Sequence, residues 1–271
     1  MALHSLRVIF AAAKFNLIIT LRFFSGTAIA LRLFAPIMTL GSAWILYNHI
    51  YQGALAPEFG SSGYMSFIAI GNAFYVFVFA AAFVVGRVMF WERAAGTIEA
   101  TFMTPMNRLA YMAGIMVAAA LNSLIDFAAV FLVGIPFGFQ VTSPNIPLFL
   151  SSMLLTAFAL FGVGLIVNAI TLTFRDRTTT ANTLMILYLV FSGLVCPIEL
   201  MPQWAQMISK VLPLTYGLKI MRTSLLGVAA SGVTYDLAIL FIMGVAYVLI
   251  GALTLKLIEK NLKKKALLSV F

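Results

Sequence analysis

The chain has 271 residues, of which 63% are hydrophobic and only 9% are charged, and its mean hydropathy is +1.07. A soluble domain carries about 25% charged residues, so this chain cannot cover a globular core with a polar surface. The composition predicts an all-α polytopic membrane protein. One cysteine excludes an internal disulfide framework, and two histidines exclude a histidine-cluster metal centre. We therefore expect no metal site.

Six apolar segments are long enough to cross a bilayer, which requires about 20 apolar residues each. In chain order they cover approximately residues 28–50, 64–86, 109–135, 148–174, 178–196 and 236–258. Proline and glycine between these segments predict turns. The sequence therefore predicts six transmembrane helices.

The basic residues predict the orientation. If the N-terminus is cytoplasmic, only Lys210, Lys219 and Arg222 fall on the outer side, and the other 14 of the 17 basic residues fall inside. Because cytoplasmic loops carry an excess of Lys and Arg, we expect a multi-pass protein of the plasma (inner) membrane with both termini cytoplasmic. The lysine-rich tail at 260–265 predicts an anchor to membrane lipids rather than a nucleic-acid site.

The first 26 residues differ from the rest of the chain. Arg7, Lys14 and Arg22 lie on roughly one side of a helix, and apolar residues cover the remainder. This pattern predicts an amphipathic interfacial helix over residues 1–26 at the inner leaflet, followed by a transmembrane domain over residues 27–271. The alternative is that this segment is the frayed start of the first span.

The sequence lacks the patterns of several enzyme classes. It contains no phosphate-binding loop of the form Gly-x-x-x-x-Gly-Lys-Ser/Thr and no Gly-x-Ser-x-Gly nucleophile motif, and no predicted span carries two acids. We therefore expect no catalytic residue and no cofactor bound by this chain. The function classes that remain for this membrane protein are a conduit and a transporter.

One acid lies deep within the third predicted span. Asp126 is about 14 Å from the outer end of that span at 1.5 Å per residue, and Asn122 lies one turn away on the same face. A charged group near mid-membrane costs about 2.5–3.5 kcal/mol, so it should face protein or water. Asp126 and Asn122 either line a translocation path or dimer seam, or bond a neighbouring helix in a structural role.

Other span residues are assigned structural roles. Asn168 is expected to join helices through its amide. Four aromatic residues scatter around the second span, which favours lipid-facing bulk over an aromatic lining for sugars: Phe74, Tyr75, Phe77 and Phe79.

The loop of residues 87–108 is unusually polar, with a Gly-Thr break and a short amphipathic segment that ends at Pro105. Such a segment can dock into the groove of a soluble partner, or it can lie on the membrane surface.

Three motifs in and after this loop resemble type-two ABC exporter permeases. They read Glu92-Arg93-Ala-Ala-Gly96-Thr97-Ile-Glu99 with Thr104-Pro105; Phe191-Ser192-Gly193 through Pro197 with Met201-Pro202; and Leu212-Pro213-Leu214-Thr215-Tyr216 with Arg222 and Gly227. Their order and spacing fit six spans, and the resemblance covers nearly the whole chain. One departure is Ala94-Ala95, where relatives often carry further charge.

The resemblance implies a permease subunit of an ATP-driven exporter. Two copies would pair as a homodimer above two separate ABC ATPase subunits, which would bind the ATP and Mg. The substrate would be lipophilic or amphiphilic (a drug, a lipid or a lipid-linked glycan) and would move out of the cytoplasm. A passive channel or an ion-coupled secondary carrier is the alternative from another class.

The resemblance also implies two functional segments. Residues 92–105 would form the helix that couples to the ATPase, through Glu92, Arg93, Gly96, Thr97, Glu99 and Pro105. Residues 197–232 would form two short re-entrant helices between spans five and six, an extracellular gate with Pro197, Glu199, Pro202, Trp204, Pro213 and Tyr216.

Three charged residues of this outer segment have alternative roles. Glu199 would cap the first re-entrant helix or contribute to the gate. Lys219 and Arg222 are three residues apart and share a helix face. That face would be solvated or anchored to phosphates, or would meet an anionic headgroup.

Overall fold

Helices account for every regular element in the part of the chain that the structure, a computed structural model, describes. The described residues are 2–22, 26–50, 63–78, 84–85, 88, 92, 96, 107–141, 144–173, 182–183, 186–188, 190–194, 197–227 and 232–264.

The main helices are α1 (Ala2–Arg22), α2 (Gly26–Ile45), α3 (Gly63–Val78), α4 (Arg108–Gly134), α5 (Ile146–Thr173), α6 (Gln203–Val211), α7 (Pro213–Leu226) and α8 (Val233–Lys264). A π-helical turn at Leu46–Ile50 extends α2, and 3₁₀ turns lie at Ile135–Phe137 and Ile198–Leu200. In a bilayer this helical architecture satisfies the backbone hydrogen bonds within each segment.

Four helical segments in the described residues are long and apolar enough to span a bilayer: Ile29–His49, Arg108–Phe137, Ile146–Ile170 and Val233–Ile258. They coincide with the first, third, fourth and sixth predicted spans. In the second predicted span, the apolar helix Gly63–Phe77 is shorter than a full crossing. In the fifth predicted span, 178–196, nine of the 19 residues lie outside the described residues. The total of six spans therefore stays a prediction.

α5 is the central helix of the bundle. In its span window 61% of the residues are buried, against 17% in the windows of α2 and α8. α8 forms the most extensive helix pair with α5, and the close approach depends on glycine. A Cβ on Gly162 would collide with the backbone of Tyr247 and Val248, and one on Gly251 would lie 2.7 Å from the Gly162 carbonyl oxygen. Small residues at such crossings let two backbones pack closely.

α1 packs along the N-terminal half of α4. A Cβ added to Gly114 would lie 2.5 Å from the Ile9 carbonyl oxygen and 2.7 Å from the Ala12 Cβ. The predicted basic face of α1, which carries Lys14, is exposed. These contacts fix α1 against the bundle, and its position in the membrane interface stays a prediction.

The prediction that the aromatic residues of the second span face lipid is wrong for two of them. Phe74 is fully buried and Phe77 is 3% exposed, and both belong to the main core. The reason is that α3 packs against α2, α4 and α7. Side chains on several faces of α3 are therefore buried against neighbouring helices. Tyr75 is half-buried and lines a cavity described below, and Phe79 lies outside the described residues.

Candidate functional site

An ion pair joins the first and third apolar helices. Arg32 on α2 places its Nη1 3.0 Å from Asp126 Oδ1 on α4, and its Nη2 donates a 3.0 Å hydrogen bond to Asn122 Oδ1. The two charged side chains are 21% and 24% exposed. Pairing neutralises both charges, which lowers the cost of placing them in a membrane. Asp126 and Asn122 do lie on one face, and that face bonds a neighbouring helix. Their role in a path or a dimer seam stays a prediction.

A small cavity with both polar and apolar lining adjoins this pair. It has a volume of about 130 Å³ and lies where α1 meets α4, with Asn16, Thr20 and Asn122 in its wall. The Asn16 amide donates 2.9 Å to the Ala12 carbonyl, and the Thr20 hydroxyl donates 2.9 Å to the Asn16 carbonyl. Polar side chains of α1, α2 and α4 are thus gathered in one region of an apolar bundle.

The coupling segment is described at two of its six predicted residues. Glu92 accepts a 2.5 Å hydrogen bond from the Tyr111 hydroxyl, which lies in the first turn of α4. Gly96 is exposed with φ +70°, a left-handed conformation that favours glycine. The other four predicted residues, Arg93, Thr97, Glu99 and Pro105, lie outside the described residues.

The start of α4 carries a cap that the sequence analysis did not single out. The Asn107 side-chain oxygen accepts hydrogen bonds from the backbone N–H groups of Leu109 and Ala110, at 3.1 and 3.4 Å. Asparagine is among the best residues at this position. The cap therefore fixes the N-terminus of α4, the helix whose Tyr111 bonds Glu92.

α6 is a short amphipathic helix in the predicted gate. It buries Ala205 and Ser209, and the Ser209 hydroxyl donates to the Phe191 carbonyl. Trp204 is 62% exposed, and its ring meets that of Phe191 edge-on at 5.8 Å. Met207 on the outer side of α6 is 67% exposed. α6 thus presents an apolar face away from the bundle; its re-entrant position stays a prediction.

The prolines of the predicted gate mark its turns. Pro197 is buried and precedes the 3₁₀ turn Ile198–Leu200, and exposed Pro202 precedes α6. Pro213 is buried at the first position of α7, where a missing N–H leaves no hydrogen bond unmade.

The capping role considered for Glu199 is wrong. Its side chain is exposed, and α6 begins without a side-chain cap. Gln206 reaches back instead, and its Nε2 donates 2.8 Å to the Met201 carbonyl. The 3₁₀ turn directs the Glu199 side chain outward, so only the gate contribution stays open.

Tyr216 and Lys219 connect α6, α7 and the start of α8. The half-buried Tyr216 donates its hydroxyl to the Lys210 carbonyl at 3.2 Å. Burial raises the pKa of Tyr216, and nearby Asp236 adds to this, so the phenol stays a neutral donor. Lys219 Nζ lies 2.8 Å from Asp236 Oδ2, whose side chain is only 6% exposed. Lys219 is 54% exposed, as a solvated face predicts, and it also pairs with this acid in the first turn of α8.

Arg222 likewise does not point outward. Its Nη1 donates 2.9 Å to the Gly193 carbonyl, and its Nη2 donates 3.1 Å to the Leu194 carbonyl. The guanidinium carbon lies 3.3 Å from the centre of the Phe67 ring. Burial lowers the pKa of Arg222, which Glu199 partly offsets. Because the guanidinium fork matches two successive carbonyls, Arg222 holds α7 to α3 and to residues 193–194.

Asn168 confirms its expected structural role. This fully buried residue donates its amide to the Val85 carbonyl at 2.9 Å. It thereby joins α5 to residues that follow α3 in the chain.

Comparison with known proteins identifies the family. A family model described as ABC-2 type transporter matches residues 9–226. The chain is 27% identical over 195 residues to Nodulation protein J of Sinorhizobium fredii (strain NBRC 101917 / NGR234), which covers 71% of this chain and 74% of that protein. It is also 25% identical over 126 residues to the "Probable multidrug ABC transporter permease YbhR" of Escherichia coli (strain K12), which covers 46% of this chain and 34% of that one.

The chain therefore belongs to the ABC-2 type transporter family. Members are membrane permease components of ABC transporters, and the family implies an ABC ATPase as partner. The resemblance drawn from the three sequence motifs is thus confirmed.

Proposed function

We propose that this chain is the permease subunit of an ATP-driven exporter that moves a lipophilic or amphiphilic substrate out of the cytoplasm. Two copies form a homodimer in the plasma (inner) membrane, with both termini cytoplasmic. Two ABC ATPase subunits bind ATP and Mg and contact residues 92–105. A drug, a lipid or a lipid-linked glycan fits this class of substrate.

The family match over residues 9–226 carries the proposal. It includes the whole predicted coupling segment and most of the predicted gate. The name of the Escherichia coli relative refers to multidrug transport, which agrees with an apolar or amphiphilic substrate.

The contacts of Glu92 and Asp126 support a mechanical route from the cytoplasmic loop to the first span. Glu92 bonds Tyr111 at the start of α4, and Asp126 pairs with Arg32 on α2. Because helices move as rigid bodies, a displacement of residues 92–105 would reach α2 through α4. Export would then follow from two arrangements of packed helices.

The test uses the permease co-purified with its ATPase in lipid nanodiscs. We expect native mass spectrometry to give two copies of each subunit. Glu92→Ala and Glu99→Ala should lower ATP hydrolysis stimulated by an amphiphilic probe, without loss of permease from the membrane. The control is Glu58→Ala, which changes an acid in the loop between the first two predicted spans. Equal stimulation in all four proteins would remove residues 92–105 from the mechanism.

A further inference from the structure

A cavity lies between α2 and α3, away from the Arg32–Asp126 pair. Its volume is about 440 Å³, within the range of about 300–1,000 Å³ that is typical of small-molecule sites. Tyr64 and Tyr75, both on α3, line it. They are 11 residues apart, so the cavity extends about 16 Å along the helix at 1.5 Å per residue.

The floor of the cavity is held rigidly. Gly71 and Leu194 meet there, and a Cβ on Gly71 would collide with the Leu194 carbonyl oxygen. Arg222 Nη2 donates a hydrogen bond of 3.1 Å to that same carbonyl oxygen. The glycine lets the backbone of residue 194 approach α3 closely, and the arginine fixes that carbonyl. A binding site that exists before the ligand arrives loses less entropy on binding.

The walls combine apolar surface with a few neutral polar groups. Ala43, Leu46 and Ile68 supply apolar lining. The Asn72 amide donates 2.5 Å to the Thr39 hydroxyl, which itself donates 3.0 Å to the Ala35 carbonyl. One N–H and the carboxamide oxygen of Asn72 are then available to a ligand.

The charge of the lining residues also indicates which ligands fit poorly. None of the described residues that line the cavity is charged. The Arg222 guanidinium lies near the floor, where its Nη2 donates to the Leu194 carbonyl oxygen. A phosphate or carboxylate would lose its hydration along walls whose described residues offer it no charged partner.

The geometry points to a binding site for an uncharged amphiphile. A hydrocarbon segment lies along the apolar walls, and a hydroxyl or amide group bonds Asn72 beside Thr39. This inference rests on the proposed export function and names the kind of substrate group that enters between α2 and α3. The tails of bilayer lipids and a second copy of the chain are the other candidate occupants.

The test is photolabelling of the permease–ATPase complex in phosphatidylcholine nanodiscs. The probe is a long-chain fatty amide that carries a diazirine in its chain. The comparison probes are the matching methyl-ended chain and a diazirine phosphatidylcholine. We expect the fatty amide to label residues 39–46 and 64–75 saturably.

Two variants separate the cavity from the lipid surface. Ser42→Phe fills the cavity and should reduce labelling about tenfold, which is about 1.4 kcal/mol. Ile45→Phe is the matched control, because Ile45 is 53% exposed and does not line the cavity. If Ser42→Phe fails to assemble, Leu46→Trp narrows the cavity in its place, with the same expected loss.

A third variant tests the polar contact. Asn72→Leu should weaken labelling by the fatty amide about two- to tenfold, the contribution of one neutral hydrogen bond, and leave the methyl-ended probe unchanged. Equal labelling by phosphatidylcholine, with no effect of Asn72→Leu, would mean that bilayer tails alone fill the cavity and would overturn the inference. Absence of labelling by every probe would overturn it in favour of a covering second copy.

ATP hydrolysis in the same nanodiscs separates this inference from the proposed function. Labelling without any ATP hydrolysis by the complex would contradict the export proposal alone. Normal probe-stimulated hydrolysis with unlabelled residues 39–46 and 64–75 would contradict only the cavity assignment.

Discussion

Asp126 is stable within the apolar bundle because Arg32 faces it. The two side chains lie 3.0 Å apart, and each is only partly exposed. Removing one partner leaves the other as an unpaired charge, and such a charge costs about 2.5–3.5 kcal/mol at the centre of a spanning helix. The pair therefore behaves as a unit, and its members cannot be replaced independently.

We expect Asp126→Leu to reduce the yield of assembled complex strongly, and Asp126→Leu with Arg32→Met to restore most of it. Asp126→Asn keeps the size and hydrogen bonding of the side chain, so it should disturb transport more than assembly. The measurements are the yield of complex and the transport per complex. If Asp126→Leu assembles and transports like the parent protein, the ion pair has no role in either.

Arg222 depends on the shape of its guanidinium as much as on its charge. A lysine keeps the charge but loses the fork that reaches two carbonyls and the flat face that stacks on Phe67. We expect Arg222→Lys to lower the stability of the purified permease by about 1.5–3 kcal/mol, measured by thermal unfolding in detergent. Arg7→Lys, at an exposed position of α1, is the matched control and should unfold like the parent. Equal unfolding temperatures for both variants would show that the carbonyl contacts contribute little.

Tyr111 links two elements, the predicted coupling segment and α4, through one hydroxyl. Tyr111→Phe removes the hydrogen bond to Glu92 and keeps the ring. If the loop moves α4 through this contact, the variant should lose probe-stimulated ATP hydrolysis while its ATPase still binds. Tyr235→Phe is the control, since Tyr235 is 69% exposed at the start of α8. The same stimulation in both variants would mean that the contact only orders the loop.

The α5–α8 pair depends on close backbone contact. A methyl group at Gly162 would collide with the backbone of α8, whereas one at Gly41 on α2 would meet the Phe137 ring at an ordinary 3.7 Å. We expect Gly162→Ala to destabilise the permease by about 1–3 kcal/mol, as overpacking usually does, and Gly41→Ala to be nearly neutral. Thermal unfolding of the two variants in the same detergent checks this, and a neutral Gly162→Ala would show that α8 can shift without cost.

Sequence patterns predict helices better than they predict partners. The observed α4 and α5 begin and end close to the predicted spans, because apolar length and end signals are local. Arg32 and Asp126 are 94 positions apart, and no local pattern joins them. The prediction that Arg222 lies on a solvated or phosphate-binding face is wrong, because a basic residue between spans is usually solvated. Its hydrogen-bond partners are the backbone carbonyls of residues 193–194, which no side-chain pattern in the sequence indicates.

At the scale of the whole molecule, the distribution of basic residues predicts that residues 197–232 lie outside. Gln203 is exposed at the start of α6, and Cys196 is the one native thiol. Gln203→Cys in a Cys196→Ser background should therefore react with a membrane-impermeant thiol reagent from the outer side alone. Reaction from the cytoplasmic side would contradict the six-span topology.

We propose that this permease exports an amphiphile at the expense of ATP hydrolysis by its partner. The most direct measurement uses proteoliposomes with the complex and a nitrobenzoxadiazole-labelled lipid, to which ATP is added outside. Transporters whose cytoplasmic face points outward should move the lipid to the inner leaflet and protect its fluorophore from dithionite. We predict protection with ATP and Mg, and none with a non-hydrolysable analogue. Equal protection with and without ATP would contradict the account and favour a passive channel or an ion-coupled carrier.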